Sequence, residues 1–444
     1  MNRGTVVIVA WNQRAAAERC VQAVLENNPN EQIIFVDNCS SDGTREWLAE
    51  QTFDYVIFDE GVQEYGKVLN AVLENFEIAE NLVLLSPRCQ IGKETLHRMF
   101  ATIESTPNVG VVGCRVNGTV VEQDIAIHSL EELYEMEQVI EGEDDYRVLG
   151  NSGFCYAMPS RMWTEVGAFD ERLAELEGVL IDYQLRAVKG GYINKICRSA
   201  CVLDWEVQKD TIIYEQALKN CDRKVLRQKW NMNYFNLSSN PKFLDVIRRD
   251  KMDKFSVLEI GCDMGANLLG IKNRFPNCSI YGVEINQNAT AIGECVAPIC
   301  YGNIEEETIP FEEKFDYIIF GDVLEHLHDP QRTIEYCREI LKEDGRILAS
   351  IPNVMHISVM KQLLRGEFRY TDVGLLDKTH IHFFTAKEIV RMFEQAEYTL
   401  EEMLGIVYEL TEEEQKLEKE LMKISTDVIP TMYETYQYIV VARV

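Results

Sequence analysis

Among its 444 residues the chain has no CxxC pair, no low-complexity tract and no internal repeat. No apolar run reaches the roughly 18 residues that a membrane-crossing helix needs, and the opening MNRGTVVIVAWN has too short an apolar run for a secretory leader, reading instead as a first strand. Positive charge is scarce: 44 Lys and Arg stand against 73 Asp and Glu, a net −29. A field of that sign repels phosphate backbones and anionic lipid, which excludes nucleic acid and a membrane surface as main partners but leaves room for a local basic pocket. The thirteen cysteines are scattered. Cys197 and Cys201 can share a helical face, yet no second pair completes a zinc set, so the cysteines read as reduced thiols of a cytoplasmic protein.

What is present is an ordinary soluble composition, 46% apolar and 26% charged, over a length natural for two cores. TVVIVAW, EQIIFVDN, YVIFDE, NLVLLSP and VGVVGCRV read as strands, alternating with the helical patterns RAAAERCVQAVLENN, REWLAEQ, GKVLNAVLENF and KETLHRMFATI. Such alternation predicts an α/β fold with a mostly parallel sheet under helices. Apolar periodicity weakens and charge rises after 205. A second alternation then follows, with SVLEIGC, SIYGVEI, FDYIIFGD, GRILASIP and the late YQYIVVARV as strands. The expected organisation is therefore a first domain at 1–205, a helical connector at 206–240 with a turn at SSNP, and a second domain at 241–444. The acidic run TEEEQKLEKELMKI reads as a solvated helix face.

In VLEIGCDMGANLLG a buried strand runs into a glycine turn and a helix start, where Gly261 and Gly265 let backbone approach a ligand. Such turns are common alone, but here SIYGVEI ends in Glu284, an acid at the tip of the next strand that can accept both hydroxyls of a ribose. A dinucleotide would want glycine where Asp263 stands, because a carboxylate opposes a pyrophosphate. S-adenosylmethionine carries a sulfonium cation and no phosphate, so the residues favour it over NAD. FGDVLEHL sets Asp322, Glu325 and His326 just past a strand end, where open α/β sheets bind ligands. Methyl transfer to a hydroxyl needs alignment, exclusion of water and removal of a proton. His326 is one candidate base; His380 and His382 in DKTHIHFF are others. The plainer alternative is that the Glu325–His326 pair only packs and caps its loop.

LEIGCDMG, YGVEIN, GNIEE, FDYIIFGDVLEHLHDP, SIPN and the closing strand together resemble a class I S-adenosylmethionine-dependent methyltransferase with a Rossmann-like fold. The resemblance implies that Glu259, Gly261 and Gly265 lie along the methionine end of the cofactor and that Glu284 binds ribose. It puts Asn303 and Ile304 beside adenine, with Asp322 a further cofactor contact. Asn303 departs from the more usual Asp, though an amide still bonds the adenine amino group. LLRGEFRYTDVGLLDKTHIHFFTAKEIV resembles the late region of methyltransferases of bacterial surface-polysaccharide assembly, which implies a sugar or glycan-linked acceptor.

The first half carries VVIVAWN, FVDNCSSDGTREWL, GKVLNAVL, GFCYAMPSRMWTEVGAFDERL and DYQLRAVKGG, an ordered set that resembles family 2 glycosyltransferases of the GT-A fold. By that resemblance Asn12, Asp37 and Asp42 line a nucleotide pocket, and Asp170 and Glu171 sit on the acceptor-side loop. Asp42 also suits a helix cap. Three positions depart from the family. Arg88 stands where LNPD would supply a metal-holding Asp, Leu180 replaces the usual base although Asp182 and Arg186 match, and VLDWE replaces a late His.

No metal is expected. Arg88 can stand in for it by neutralising the leaving diphosphate, with Glu175, Glu177 or Asp182 as base, or the domain binds a nucleotide sugar without transferring it. The expectation is a two-domain cytoplasmic enzyme of bacterial glycan assembly. Two rivals stand beside it: a glycan-binding scaffold with both halves inactive, and a dehydrogenase that would bind NAD.

Overall fold

The computed structural model describes residues 4–117, 125–140, 145–151, 154–205, 220–306, 309–426 and 431–444. The chain divides into two compact units, Met1–Ser239 and Asn240–Val444. Both are α/β, as the alternation predicts.

The first unit is built on β1 (Gly4–Ala10), β2 (Gln32–Asn38), β3 (Asp54–Phe58), β4 (Asn81–Leu85), β5 (Cys89–Ile91), β6 (Val109–Val116), β7 (Tyr146–Val148), β8 (Cys155–Pro159) and β9 (Ile193–Asp204). The order across the sheet is β3-β2-β1-β4-β8-β6-β9-β5, with β7 beside β9. β1 to β4 run parallel, whereas β8 lies antiparallel to both β4 and β6, so the sheet is mixed. All seven residues of GTVVIVA in β1 are buried, as a strand covered on both faces requires.

The second unit contains β10 (Ser256–Ile260), β11 (Ser279–Glu284), β12 (Ile299–Tyr301), β13 (Phe315–Gly321), β14 (Leu341–Pro352), β15 (Thr399–Val407) and β16 (Thr435–Arg443). Its order is β12-β11-β10-β13-β14-β16-β15, and only β16 runs against its neighbours β14 and β15. In both sheets the chain order reverses beside a central strand, at β1 between β2 and β4 and at β10 between β11 and β13. Loops leaving the carboxyl ends of those neighbours diverge there and open a crevice. Among the described residues no helix is long and apolar enough to cross a membrane.

The stretch read as a connector does not behave as a spacer throughout. Residues 206–219 lie outside the described residues, but helix Asn220–Trp230 packs on helix Leu176–Lys189 of the first unit. Asp222 accepts the Ala174 and Glu175 N–H groups at 2.9 and 3.0 Å, satisfying donors that the start of helix Leu176–Lys189 would otherwise leave orphaned. At the other end Asp182, fully buried, takes Arg186 Nε at 2.9 Å, Lys229 Nζ at 2.7 Å and Trp230 Nε1 at 3.1 Å. Asp182, read from sequence as a candidate base, thus has both its oxygens bound inside the protein.

Removing one partner of a buried ion network strands the others. Asp182→Ala is therefore expected to destabilise the first unit by about 3–5 kcal/mol. All five tryptophans lie in that unit, so tryptophan fluorescence during urea unfolding of the whole chain reads it separately. A shift below about 1 kcal/mol would refute the structural role.

Candidate functional site

In the second unit the crevice at β10 collects the residues singled out from sequence. Glu259 lies in β10 and is 1% exposed; its Oε1 accepts Asn267 Nδ2 at 2.7 Å, while Oε2 is buried with no hydrogen-bond partner. Burial, with Asp263 and Glu284 adding negative charge nearby, pushes its carboxyl up to about 8. Gly261 follows with φ 67°, and a Cβ there would meet Val323 Cγ2 at 2.5 Å, so both backbone conformation and space demand glycine. Gly265, at φ 86°, caps helix Ala266–Arg274. Glu284 ends β11 and accepts the N–H groups of Asp263 at 2.8 Å and Asn286 at 2.7 Å, which fixes the carboxylate while leaving each oxygen further acceptor capacity. Asn303 is half-buried with Oδ1 on Glu305 N–H, and Ile304 packs against the core.

The unfilled Glu259 oxygen, the glycine turn and the acid at the strand tip fit a nucleoside ligand with a cationic end. Asn267 was not legible as a site residue, because its role comes from lying opposite Glu259 rather than from a motif.

Asp322, past the end of β13, has φ 55°; its N–H donates to Ser350 Oγ at 2.9 Å and its carboxylate accepts Gln437 Nε2 from β16. Although the residue is open to solvent, the surrounding protein raises its carboxyl to about 6. The next turn, Leu324–His326, brings Glu325, His326 and His380 together. His326 and His380 meet edge to face, with ring centroids 4.8 Å apart. His382 lies on the same loop, with Nε2 turned 3.3 Å from the His328 carbonyl. Burial and the neighbouring His326 lower the basicity of His380.

In the first unit the loops after β1 and β2 knit together. Asn12 Oδ1 accepts Ser41 N–H at 2.8 Å, and Asn12 N–H donates to Ser40 Oγ at 2.9 Å. Asp42 accepts Arg14 N–H, at the start of helix Arg14–Asn27, at 2.8 Å and Thr44 N–H at 3.2 Å. Asp42 is not itself the N-cap of the following helix, a place taken by Gly43, but its carboxylate binds the first N–H of that helix and of helix Arg14–Asn27. Asp37, at the end of β2, is fully buried with Oδ1 on Ser40 N–H at 2.9 Å and Oδ2 without a hydrogen-bond partner.

Arg88 does not stand as an isolated cation. Its guanidinium forks onto Asp204, Nε to Oδ1 at 3.3 Å and Nη2 to Oδ2 at 2.7 Å, and lies 4.8 Å from the Phe154 ring centre. The backbone fixes this pairing, since Cys89 in β5 is registered with Asp204 in β9. In the loop before helix Leu176–Lys189, Asp170 pairs with Arg172 at 2.6 Å and Lys229 at 2.9 Å, and Glu171 accepts Asn70 Nδ2 at 3.0 Å. Glu177, half-buried in the first turn of its helix, has its carboxyl pushed up to about 7, mainly by burial.

Comparison with known proteins gives each half its own match, the second beginning inside helix Asn220–Trp230 of the first unit. Residues 5–166 match the family model described as glycosyl transferase family 2, and residues 228–403 match the one described as a methyltransferase domain. The chain joins a glycosyltransferase family 2 domain to a methyltransferase domain. The first match stops before the helix carrying Asp182, and the second before β16 with Gln437.

Over 160 residues the methyltransferase part is 26% identical to a ubiquinone biosynthesis O-methyltransferase of Glaesserella parasuis, covering 34% of this chain and 67% of that protein. It is 24% identical over 177 residues to the same-named protein of Aromatoleum aromaticum, covering 38% and 75%. Among solved structures, GalNAc-T7 with UDP, GalNAc and Mn2+ aligns at 14% identity and TM-score 0.38, over 48% of this chain and 45% of that one. A SAM dependent methyltransferase from Archaeoglobus fulgidus aligns at 14% and 0.33, over 50% and 94%.

The raised carboxyl of Glu259 carries a pH signature. Its ordinary value is 4.5 and its folded value about 8, so between these limits it is protonated in the folded chain and ionised in the unfolded one. Its contribution is most favourable below pH 4.5 and is lost as pH rises through that window. Without cofactor, Glu259→Gln is expected to gain stability over the parent as pH rises from 5 to 8, by up to about 1.4 kcal/mol per pH unit. Calorimetric unfolding of the second unit checks this, and parallel pH profiles for the two proteins would refute it.

Proposed function

We propose that the second domain transfers a methyl group from S-adenosylmethionine to a hydroxyl of a sugar or glycan-linked group, and that the first domain binds a nucleotide sugar. The observation that carries the methyl-transfer reading is the β10 crevice, where Gly261 and Gly265 open the backbone, Glu284 stands at the tip of β11 with acceptor capacity to offer a ribose, and Glu259 presents a buried, unfilled oxygen. When bound, the cofactor supplies an electrophilic methyl on a sulfonium. The chain's own part is to fix that cation among carboxylates, hold the acceptor hydroxyl in line past Asp322, exclude water and accommodate the released proton. His326 and His380, edge to face just past the turn after β13, are the side chains that would take up that proton.

For the first domain, the Arg88–Asp204 pair favours binding over metal-dependent transfer. The position that would hold a cation through an acid holds one covalently, and its charge is matched by Asp204. Asp37 supports nucleotide binding, because its buried oxygen has acceptor capacity to offer a base or ribose. A second reading, metal-free transfer, draws on Glu177: a half-buried carboxyl near 7 is suited to take a proton at neutral pH. Joining both domains in one chain raises the local concentration of a glycan that each handles.

Calorimetric titration of the whole chain tests both domains. S-adenosylhomocysteine is expected to bind and NAD not to; the reverse would establish the dehydrogenase reading. One of UDP, GDP or dTDP is expected to bind with equal affinity with or without Mn2+, whereas strict Mn2+ dependence would overturn the account of Arg88.

A variant pair sharpens the test. Arg88→Ala removes the cation that Asp204 pairs with and is expected to weaken the diphosphate about tenfold, or 1.4 kcal/mol. Adding Asp204→Asn should restore most of that loss. A double variant as weak as the single one would mean that Arg88 touches the phosphates directly.

A further inference from the structure

We propose that Glu325, His326 and His380 form a divalent-metal site in the acceptor pocket of the second unit. Among the described residues, their ligand atoms all lie within 4.8 Å of one another, and His380 Nε2 is 3.9 Å from Glu325 Oε1. Metal–ligand bonds of about 2.1 Å at tetrahedral or octahedral angles put ligand atoms about 3.0–3.4 Å apart, so side-chain rotation that draws these atoms together by roughly an ångström closes the set.

Three features make this a built site rather than a chance cluster. The Glu325 carboxylate is 1% exposed and neither of its oxygens has a hydrogen-bond partner. An isolated buried carboxylate is costly, and a cation is what would compensate it. Both histidines are oriented through the nitrogen facing away from the cluster. His326 Nδ1 lies 3.1 Å from the Thr379 carbonyl and His380 Nδ1 3.3 Å from the Leu375 carbonyl. A carbonyl only accepts, so each Nδ1 carries the proton and each Nε2 keeps its lone pair, the arrangement that orients imidazole for a metal.

The backbone holds these residues in place. The Glu325 carbonyl accepts Ile381 and His382 N–H groups at 3.0 Å each, and Asp377 Oδ1 takes Thr379 N–H at 2.8 Å. The turn after β13 is thereby clamped to the 375–382 loop.

Two imidazoles and one carboxylate suit Mn2+, Fe2+, Co2+ or Zn2+ better than Mg2+ or Ca2+, and three protein ligands leave positions open for an acceptor oxygen. The role of the ion, though not its binding, rests on the methyl-transfer reading. Coordination lowers the pKa of the acceptor hydroxyl, its proton passes to solvent, and the oxygen takes the methyl while the sulfonium becomes a neutral thioether. In that case His326 and His380 are ligands rather than bases.

The test uses the full chain, freed of any affinity tag and of metal. Mn2+ titrated calorimetrically is expected to bind at one site, and Co2+ to give the visible absorption of imidazole ligation. His326→Ala, His380→Ala and the near-isosteric Glu325→Gln should each weaken Mn2+ about tenfold or more while still binding S-adenosylhomocysteine, which shows that they fold. If an alanine variant fails to fold, Glu325→Gln and the wild-type Co2+ spectrum decide. Absence of Mn2+ and Co2+ binding to the wild type, or binding unchanged in the variants, overturns the site. Metal binding without S-adenosylhomocysteine binding would sink the methyl-transfer reading and leave the metal site standing.

Discussion

A parallel strand whose neighbours connect in opposite directions leaves its carboxyl end uncovered, and the chemistry of this chain hangs on that constraint at β1 and β10. β1 and β10 themselves are buried along their whole length, so polar function gathers where they and their neighbours stop. Asp37 is the last acid of β2, Glu284 the last of β11, and Asp322 the first residue past β13. The glycines serve the same constraint. Gly261 faces Val323 across the crevice, and any side chain there would fill the space that the diverging loops open.

The two crevices treat charge differently. In the first unit the titratable groups largely discharge one another within the protein: Arg88 on Asp204, Asp182 on Arg186 and Lys229, Asp170 on Arg172 and Lys229. In the second, Glu259, Glu284, Asp322 and Glu325 gather with no Lys or Arg paired to them among the described residues, and the surrounding protein raises the carboxyl of each. Carboxylates crowded in this way reject an anion and favour a cation. That discriminates against a pyrophosphate ligand by the same physics that accommodates a sulfonium or a divalent ion.

How much of this the sequence discloses depends on the range of the interaction. Strands with long buried runs, such as GTVVIVA and FDYIIFG, are legible because every residue repeats the same message. β15 is not: TLEEMLGIV leaves most of its residues exposed at a sheet edge and its register shifts twice, so no clean alternation marks it. β12 is only three residues long, too short to carry a period. The glycine turn and Glu284 are local to one strand–turn–strand unit and read well. The Arg88–Asp204 pair joins residues 116 apart and depends on the β5–β9 register, which nothing near LSPR encodes. Asp182 misleads for the same reason: its motif survives, but Lys229 and Trp230 arrive from a helix beyond the segment that the motif describes.

The contrast between matched and unmatched charge also argues where catalysis resides. A buried ion pair already satisfied gains little by meeting a substrate, because any new contact must first displace an existing one. An unsatisfied buried carboxylate is the opposite case: its desolvation cost is present before the ligand arrives, and the ligand relieves it. Glu259 Oε2 and both oxygens of Glu325 are in that state, one where the cofactor would lie and the other where the acceptor would. In the first unit the corresponding unfilled group is Asp37 Oδ2 at the end of β2, whereas Arg88 is already matched by Asp204. The unspent polar capacity of the first domain therefore lies at one buried oxygen at the end of β2, and that of the second at two carboxylates, one in β10 and one in the turn after β13.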